Sequence, residues 1–172
     1  MSQGGKMIHC FEPWADENTH TLVVGTMPSA ESLRQQMYYA HPQNRFWRYM
    51  AELLNNGQPV TTAAERRILL LRNRLGLWDA LAACNRDGSL DSEIKNAEPN
   101  DFHRLPQIKF YIFNGQKAFQ YFKKYNGDLL CAEPQNYAVL PSTSPANASI
   151  PDNIKFNLWK QAIENTIKQH SI

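Results

Sequence analysis

Thr21-Leu22-Val23-Val24-Gly25-Thr26-Met27-Pro28-Ser29 is the stretch of sequence that decides the fold. Its apolar and β-branched run stops at Gly25, which is typical of a buried strand that leaves a sheet. Pro28 then fixes a turn, and Ser29 is a good N-cap for a short helix through Ser32, Leu33 and Gln36. The stretch therefore predicts a strand, a turn and a helix, which is the repeating unit of α/β folds.

The same alternation of strands and helices continues along the chain. Helical spacing and stop signals predict helices from near Asn44 to Gly57, from about Thr62 to Leu75 with Gly76 as the stop, after Asn114-Gly115, and over residues 154–167. Strands are predicted at residues 108–113 and 137–140, whereas residues 77–84 fit either a strand or irregular chain. We expect one domain over residues 1–172, an α/β three-layer α/β/α sandwich with a short, largely parallel central sheet.

The composition restricts the classes of function. A net charge of +2 permits a nucleic-acid partner without demonstrating one. The cysteines Cys10, Cys84 and Cys131 form no CxxC pair, so we expect reduced thiols and neither a metal nor an organic cofactor. Since no apolar run approaches the roughly 20 residues of a membrane span and no signal peptide is visible, we expect a cytoplasmic protein without a membrane partner.

Three motifs fall where predicted strands end, at residues 25–29, 114–115 and 141–147. In parallel sheets the ligand lies beyond the carboxyl ends of the strands, so the motifs are expected to share one cleft. In the first motif a glycine allows close approach of a ligand, and the helix start behind it offers N–H groups to an oxygen or anion. The third, Leu140-Pro141-Ser142-Thr143-Ser144-Pro145-Ala146-Asn147, is rich in hydroxyl groups that can grip phosphates, although a plain surface turn also uses such residues.

A fourth segment crowds aromatic, amide and imidazole groups before a predicted helix. It reads Tyr38-Tyr39-Ala40-His41-Pro42-Gln43-Asn44-Arg45-Phe46-Trp47. Aromatic faces can stack on a nucleobase, and amides can read its polar edge. Phe46 and Trp47 equally fit a hydrophobic core, and Asn44 equally fits a helix N-cap.

Taken together, these segments resemble the uracil-DNA glycosylase superfamily over about residues 21–159. Residues 41–47 and 140–142 are similar to segments of its mismatch-specific uracil/thymine branch. The hypoxanthine-DNA glycosylase branch resembles the chain still more closely. The matching segments are Gly25-Thr26-Met27-Pro28-Ser29, Tyr38-Tyr39-Ala40-His41-Pro42, Gly76-Leu77-Trp78-Asp79, Gly88-Ser89-Leu90-Asp91, Phe113-Asn114-Gly115 and Pro141-Ser142-Thr143-Ser144-Pro145-Ala146-Asn147.

The resemblance implies a single-domain DNA glycosylase that hydrolyses the N-glycosidic bond of a flipped deaminated base and leaves an abasic site. Hypoxanthine, from deoxyinosine, is the expected base, and the expected partner is DNA that contains such a base, bound by a monomer. Because no lysine lies in the cleft motifs, no Schiff base is expected and the enzyme should be monofunctional. A G/U or G/T mismatch-specific enzyme and a non-catalytic DNA-binding relative remain alternatives. A generic nucleotide-binding domain is disfavoured, because the chain has neither GxGxxG nor GxxxxGK[ST].

One departure from the family pattern redirects the catalytic assignment. Met27 stands where the mismatch-specific branch has its catalytic asparagine, and a methionine cannot orient a water. The hypoxanthine branch shares this gap and implicates an asparagine that matches Asn44, so we expect Asn44 to hold the attacking water. Asp79 is expected to read the edge of the base, with a helix cap or a buried ion-pair partner as the alternative.

The resemblance also divides the remaining site residues into two sets. The expected substrate-binding residues are Gly25, Thr26, Met27, Pro28, Ser29, Tyr39, His41 and Asn114. The expected DNA-binding residues are Pro141, Ser142, Thr143, Ser144, Pro145 and Asn147. Four cations either add positive potential or form solvated surface, namely Arg45, Arg48, Arg86 and Lys117. A group in or beside the loop at residues 141–147 is expected to enter the duplex and fill the vacated base stack, and the sequence does not identify which side chain it is.

Overall fold

The computed structural model describes residues 6–169. In chain order its strands are β1 (Met7–His9), β2 (Thr21–Gly25), β3 (Leu75–Asp79), β4 (Leu81–Asn85), β5 (Lys95–Pro99), β6 (Phe110–Asn114) and β7 (Tyr137–Leu140). Its α-helices are α1 (Ala30–Gln35), α2 (Phe46–Leu54), α3 (Ala63–Arg72), α4 (Gln116–Asn126) and α5 (Asp152–Gln169). Strands and helices alternate through most of the chain, as the sequence predicts.

The central sheet is parallel and has the strand order β3-β2-β6-β7. Successive residues of β2 point to opposite faces, so Val23 packs into one apolar cluster while Leu22 and Val24 pack into another. The cluster around Val23 is closed by α2, α3 and α5, and the cluster around Leu22 and Val24 is closed by α4. Helices on both faces confirm the predicted three-layer α/β/α sandwich.

Two predicted helices end earlier than the sequence suggests. The helix α2 ends at Leu54, and Gly57 lies beyond it with a φ of +77°. The helix α3 ends at Arg72, because Arg74 has a φ of +59° and turns the chain into β3. Gly76, predicted as a stop signal, lies inside β3, where an added Cβ atom would be 2.4 Å from the carbonyl oxygen of Trp14. The glycine is therefore required by close packing and not by a helix end.

A small antiparallel sheet with the order β1-β4-β5 was not predicted. The ambiguous residues 77–84 divide at Ala80 into the end of β3, in the main sheet, and the start of β4, in this small sheet. The strand β5 is largely exposed and reads KNAEP, so it has no apolar alternation to reveal it. The connection between β4 and β5 reaches the edge of the main sheet where the predicted motifs lie. None of the helices within residues 6–169 is both long enough and apolar enough to cross a membrane.

Candidate active site

A cleft of about 380 Å³ opens at the carboxyl ends of the parallel strands. The motifs that follow β2, β3, β6 and β7 all contribute to its walls, as expected of a shared site. The predicted residues that line it are Gly25, Thr26, Met27, Pro28, Ser29, Tyr39, Asn44, Asp79, Asn114, Ser142, Thr143, Ser144 and Asn147. The structure thus brings together most of the site expected from the sequence.

Three predicted residues do not line the cleft. His41 lies in a neighbouring depression beside Trp47, and its Nδ1 accepts a hydrogen bond of 3.1 Å from the backbone N–H of Gln43. The carbonyl oxygen of Pro141 accepts the indole N–H of Trp159 at 2.9 Å, which fixes the start of the loop against α5. Pro145 is half-buried in that loop. The side chains of these three residues are therefore not part of the cleft wall.

Gly25 makes room for two side chains of the cleft. The register of the parallel pair β2–β3 places Gly25 beside Asp79. A Cβ atom on Gly25 would lie 2.5 Å from Oδ1 of Asp79 and 2.8 Å from the hydroxyl oxygen of Tyr39, both shorter than real Cβ contacts. The glycine predicted to allow close approach of a ligand therefore also allows the approach of Asp79 and Tyr39.

Asp79 is a buried carboxyl group in the cleft, with only 3% of its surface exposed. Its backbone carbonyl is held by the side-chain N–H of Asn100 at 2.8 Å, whereas its Oδ2 has no hydrogen-bond partner among the described residues. Burial raises the pKa of Asp79 from its ordinary 3.8 to about 7, the charge of Asp91 adds to the rise, and Arg86 opposes it. Asp79 therefore changes its charge near neutral pH.

Arg86 and Asp91 belong to the surroundings of Asp79 and were not assigned to the site from the sequence. Arg86 is buried, not solvated, with its Nε donating to the carbonyl of Gly88 at 3.0 Å and its Nη2 donating to the carbonyl of Pro28. Its Nη1 has no partner within residues 6–169. Asp91 lines the cleft close to the side chain of Thr26. The segment Gly88-Ser89-Leu90-Asp91, quoted above for its resemblance, was the available signal.

Aromatic side chains form another part of the cleft. Tyr39 has a φ of +53°, and its ring centroid lies 4.4 Å from that of Phe46. Burial and the nearby Asp79 raise the pKa of the Tyr39 hydroxyl, so the group stays neutral at physiological pH. Phe11 also lines the cleft and meets Tyr38 edge to face, with ring centroids 5.2 Å apart. Phe11 was missed because it belongs to no recognisable motif.

Asn44 caps the helix α2 while lining the cleft. Its Oδ1 accepts the backbone N–H of Phe46 at 3.0 Å, although the formal N-cap position is occupied by Arg45. The backbone N–H of Arg45 donates to the carbonyl of Thr143 at 3.1 Å, which docks this segment against the loop after β7. The capping bond uses one lone pair of the amide oxygen and leaves the other lone pair and the NH₂ group.

The loop after β7, residues 141–147, is fastened by reciprocal hydrogen bonds. Nδ2 of Asn114 donates to Oγ1 of Thr143 at 3.0 Å, and the N–H of Thr143 donates to Oδ1 of Asn114 at 2.9 Å. Thr143 is fully buried, so its side chain holds the loop in place and is not free to contact a phosphate. Within the loop, the hydroxyls of Ser142 and Ser144 accept backbone N–H groups at 3.1 and 3.2 Å.

The start of α1 is occupied by protein oxygens. The backbone N–H of Ala30 donates to Oγ of Ser89 at 2.8 Å, and that of Ser32 donates to Oγ of Ser29 at 3.1 Å. The predicted N-cap at Ser29 is confirmed. The expectation that this helix start offers N–H groups to a ligand is wrong for Ala30 and Ser32, because both groups already have acceptors.

The comparisons with known proteins agree with this geometry. A family model described as the uracil DNA glycosylase superfamily matches residues 13–167. The chain belongs to this superfamily. Among curated relatives of this superfamily member, a hypoxanthine DNA glycosylase of Methanosarcina acetivorans is 39% identical over 147 residues, which cover 83% of the chain and 90% of the relative. A hypoxanthine DNA glycosylase of Methanosarcina barkeri is 36% identical over 141 residues, covering 80% and 86%.

A solved structure has the same fold. It is a solution NMR structure of a candidate uracil DNA glycosylase from Methanosarcina acetivorans, with a TM-score of 0.76 and 33% sequence identity. The match covers 94% of this superfamily member and 99% of the solved chain. The family, the α/β fold and the DNA glycosylase class predicted from the sequence are confirmed.

Proposed function

We propose that this superfamily member removes hypoxanthine from DNA by hydrolysing the N-glycosidic bond of a flipped deoxyinosine. The observation that carries the proposal is Asp79, a buried carboxyl group in the cleft whose Oδ2 has no partner among the described residues. A buried polar atom without a partner is costly, and a ligand that donates a hydrogen bond to it removes that cost. The names of the two curated relatives support the same base.

The carboxylate of Asp79 is suited to distinguish hypoxanthine from adenine. Hypoxanthine carries a donor at N1–H, whereas N1 of adenine is an acceptor that an ionised carboxylate repels. A site built to receive a hydrogen bond rejects an analogue that lacks the donor far more strongly than a purely apolar pocket does. Such discrimination is needed because adenine is abundant in undamaged DNA. A cleft of about 380 Å³ lies within the usual range for small-molecule sites.

Asn44 is proposed to position the water that attacks the sugar. Met27 is not a candidate for positioning the water. Its side chain is buried against Leu81 and Cys84, and its thioether is a weak acceptor. A lone amide cannot supply the whole reduction of the barrier, which is on the order of 10 kcal/mol or more. Fixed dipoles around the leaving base must provide much of it, with Tyr39 or Phe11 stacked on the ring.

The DNA strand is proposed to run along the loop at residues 141–147. Ser142, Ser144 and Asn147 lie in the cleft wall within reach of flanking phosphates, while Arg45 and Arg48 lie beside the loop as sources of positive charge. The expected monomer and cytoplasmic location belong to this proposal as well. Light scattering of the purified protein with and without a short duplex tests the oligomeric state.

Uracil is the second candidate base. Its N3–H can also donate to Asp79, so the observation that favours hypoxanthine does not exclude it. The same geometry therefore supports an enzyme for G/U mismatches, and the choice depends on which ring the cleft accommodates.

A direct assay distinguishes excision of hypoxanthine from excision of uracil and from DNA binding without catalysis. Purified protein is incubated with end-labelled duplexes that carry deoxyinosine, deoxyuridine, a G·T mismatch or only normal bases, and abasic sites are then cleaved with alkali. We expect cleavage at deoxyinosine, a loss of at least tenfold in Asp79→Asn, and no loss in Glu164→Gln, an exposed control on α5. Cleavage at deoxyuridine alone would favour the second candidate, and cleavage of no duplex would favour a non-catalytic DNA-binding relative.

A further inference from the structure

Leu90 is a large apolar side chain exposed at the rim of the cleft. It lines the cleft, and 54% of its surface is accessible to solvent. We infer that Leu90 enters the DNA duplex and fills the space that the flipped base leaves in the stack. This inference rests on the proposed function, because it requires that a base is flipped into the cleft. Apolar side chains are the groups that proteins insert between base steps.

Its position at the cleft distinguishes Leu90 from the other exposed apolar side chains. Within the part of the chain that the structure describes, those side chains are Met7, Ile68, Tyr125, Ile154 and Leu158. None of them lines the cleft, and Leu90 does. Phe11 lines the cleft too, but it is half-buried and packs edge to face on Tyr38, so it belongs to the wall.

The loop at residues 141–147 offers no comparable side chain. Ala146 is exposed and lines the cleft, but it carries a single methyl group. Pro141 and Pro145 are half-buried and lie outside the lining of the cleft. The remaining residues of the loop are polar. A wedge that replaces a base in the stack must therefore come from another part of the rim.

The residues on either side of Leu90 are anchored to the body of the protein. Oγ of Ser89 accepts the first backbone N–H of α1, from Ala30, at 2.8 Å. The carbonyl oxygen of Leu90 accepts the backbone N–H of Glu93 at 3.1 Å, and the side chain of Asp91 lies close to that of Thr26. Leu90 is therefore held out from the rim by fixed neighbours, and a rigidly presented side chain loses little freedom on insertion into a duplex.

Three carboxyl groups, those of Asp87, Asp91 and Glu93, flank Leu90 along the chain, and nearby cations offset the charge of the nearest one. Asp91 is the nearest carboxyl group along the chain, and both Arg86 and Lys117 attract it electrostatically, which offsets its negative charge. The buried Arg86 also ties the preceding turn through the carbonyl groups of Gly88 and Pro28. The same arginine thus supports the loop mechanically and lowers the repulsion between this rim and the phosphates.

The inference is tested by separating base flipping from chemistry. Single-turnover excision is measured for deoxyinosine paired with cytosine and for deoxyinosine in a small unpaired bubble of the same duplex, since flipping an unpaired base costs less. We expect Leu90→Ala to reduce the rate on the paired substrate at least tenfold more than the rate on the bubble. Leu90→Phe should restore most of the paired rate, because a large apolar group is present again. Leu158→Ala, which truncates an exposed leucine on α5, should lower neither rate.

A fluorescent adenine analogue beside the lesion gives a second readout. Its emission should rise when the wild-type protein opens the stack, and Leu90→Ala should weaken this rise. If Leu90→Ala lowers the excision rate equally on both substrates, or does not lower it on the paired substrate, the proposed role of Leu90 is wrong. The proposal of hypoxanthine excision is not affected by that result. If the wild-type protein excises from neither substrate, the proposed function fails and the wedge fails with it.

Discussion

The carboxyl group of Asp79 has different surroundings in the folded and the unfolded chain. In the unfolded chain it is solvated and ionises at its ordinary pKa of 3.8, whereas in the folded chain burial, reinforced by Asp91, raises the pKa to about 7. Between these two values the folded protein binds a proton that the unfolded chain does not bind. The free energy of unfolding therefore falls as the pH rises from about 4 to about 7, and it changes little above that.

Asp79→Asn should stabilise the protein at alkaline pH. The amide cannot ionise, so the variant avoids the cost of a buried charge, which is bounded by about 4 kcal/mol for a pKa difference of this size. We expect a higher melting temperature than the wild type at pH 8, and a smaller difference at pH 4.5. Thermal unfolding at both pH values measures this, with Glu164→Gln as the control. Equal stability of the two proteins at both pH values would contradict the raised pKa.

The same ionisation should govern base recognition. If the carboxylate of Asp79 accepts N1–H of hypoxanthine, kcat/KM rises with pH up to about 7 and then levels. Asp91→Asn should shift the midpoint to lower pH, because the charge of Asp91 helps to raise the pKa of Asp79. Initial rates on an inosine duplex across pH 5 to 9 provide the measurement. A rate that falls as the pH rises through 7 would mean instead that protonated Asp79 donates to the base.

Asn44→Ala should separate a catalytic role from a structural one. Loss of a water-positioning amide is expected to lower single-turnover excision by roughly a hundredfold. Loss of the hydrogen bond to Phe46 costs only about 1 kcal/mol of stability. Thr62→Ala is a matched control, since Oγ1 of Thr62 caps α3 by accepting the N–H of Glu65 at 3.1 Å. If both variants melt earlier but excise at near wild-type rates, the water is held by another group.

The loop at residues 141–147 depends on an anchor in a neighbouring strand end. Asn114, the last residue of β6, holds both the hydroxyl and the N–H of Thr143. Thr143→Val keeps the shape but leaves Nδ2 of Asn114 without its acceptor, which costs about 1–3 kcal/mol. We expect lower stability and at least fivefold weaker binding of duplex DNA, measured by fluorescence anisotropy. The control is Thr166→Val, which removes a buried hydroxyl bonded to the carbonyl of Ala162 on α5. Equal DNA affinity in both variants would show that the loop does not need this anchor.

Elements with a local signature could be predicted, and elements without one could not. The strand β2 and the cap at Ser29 follow from an apolar run and its stop. Gly76 was wrongly predicted as a helix stop. In the sequence, a glycine after an apolar helix looks like a C-cap even when it is required by a neighbouring carbonyl group, here that of Trp14. The strand β5 has no alternation of apolar residues and is defined by its pairing with β4.

The candidate site was predictable only to the extent that its residues lie in motifs. Asp79 and Asn114 directly end strands, so their position at the cleft follows from the topology of parallel sheets. Arg86 and Asp91 belong to the connection between β4 and β5, and nothing local in their sequence indicates that Arg86 donates to the carbonyl of Pro28 or that Asp91 lines the cleft. Long-range contacts of this kind are decided by the folded chain as a whole.

The molecule as a whole carries little net charge for a protein that binds DNA. The value is +2, so affinity must arise from the arrangement of a few cations and not from their number. Arg45 and Arg48 both pair with Asp152, at 2.8 and 2.5 Å, beside the loop at residues 141–147. Phosphates of the DNA would compete with this carboxylate for the two arginines.

Affinity for an inosine duplex should fall as salt is added, because each phosphate contact releases a counterion. With two or three contacts, we expect log Kd to rise with log salt with a slope of about two to three. Titrations between 50 and 200 mM potassium chloride, analysed by anisotropy, measure the slope. Arg45→Gln should reduce it by about one, and Lys168→Gln, a distant exposed control on α5, should not change it. Binding that is insensitive to salt would contradict the DNA-binding role.

The strand order has a consequence for how the protein is made. Gly25 and Asp79 are synthesised early, but the last strand of the sheet begins only at Tyr137, and the carbonyl of Pro141 is held by the indole of Trp159. A nascent chain on the ribosome therefore carries the acidic half of the cleft long before it carries the half that is proposed to bind DNA. Translation must pass Trp159 before the loop at residues 141–147 can be anchored. Fragments released earlier would therefore lack the complete cleft.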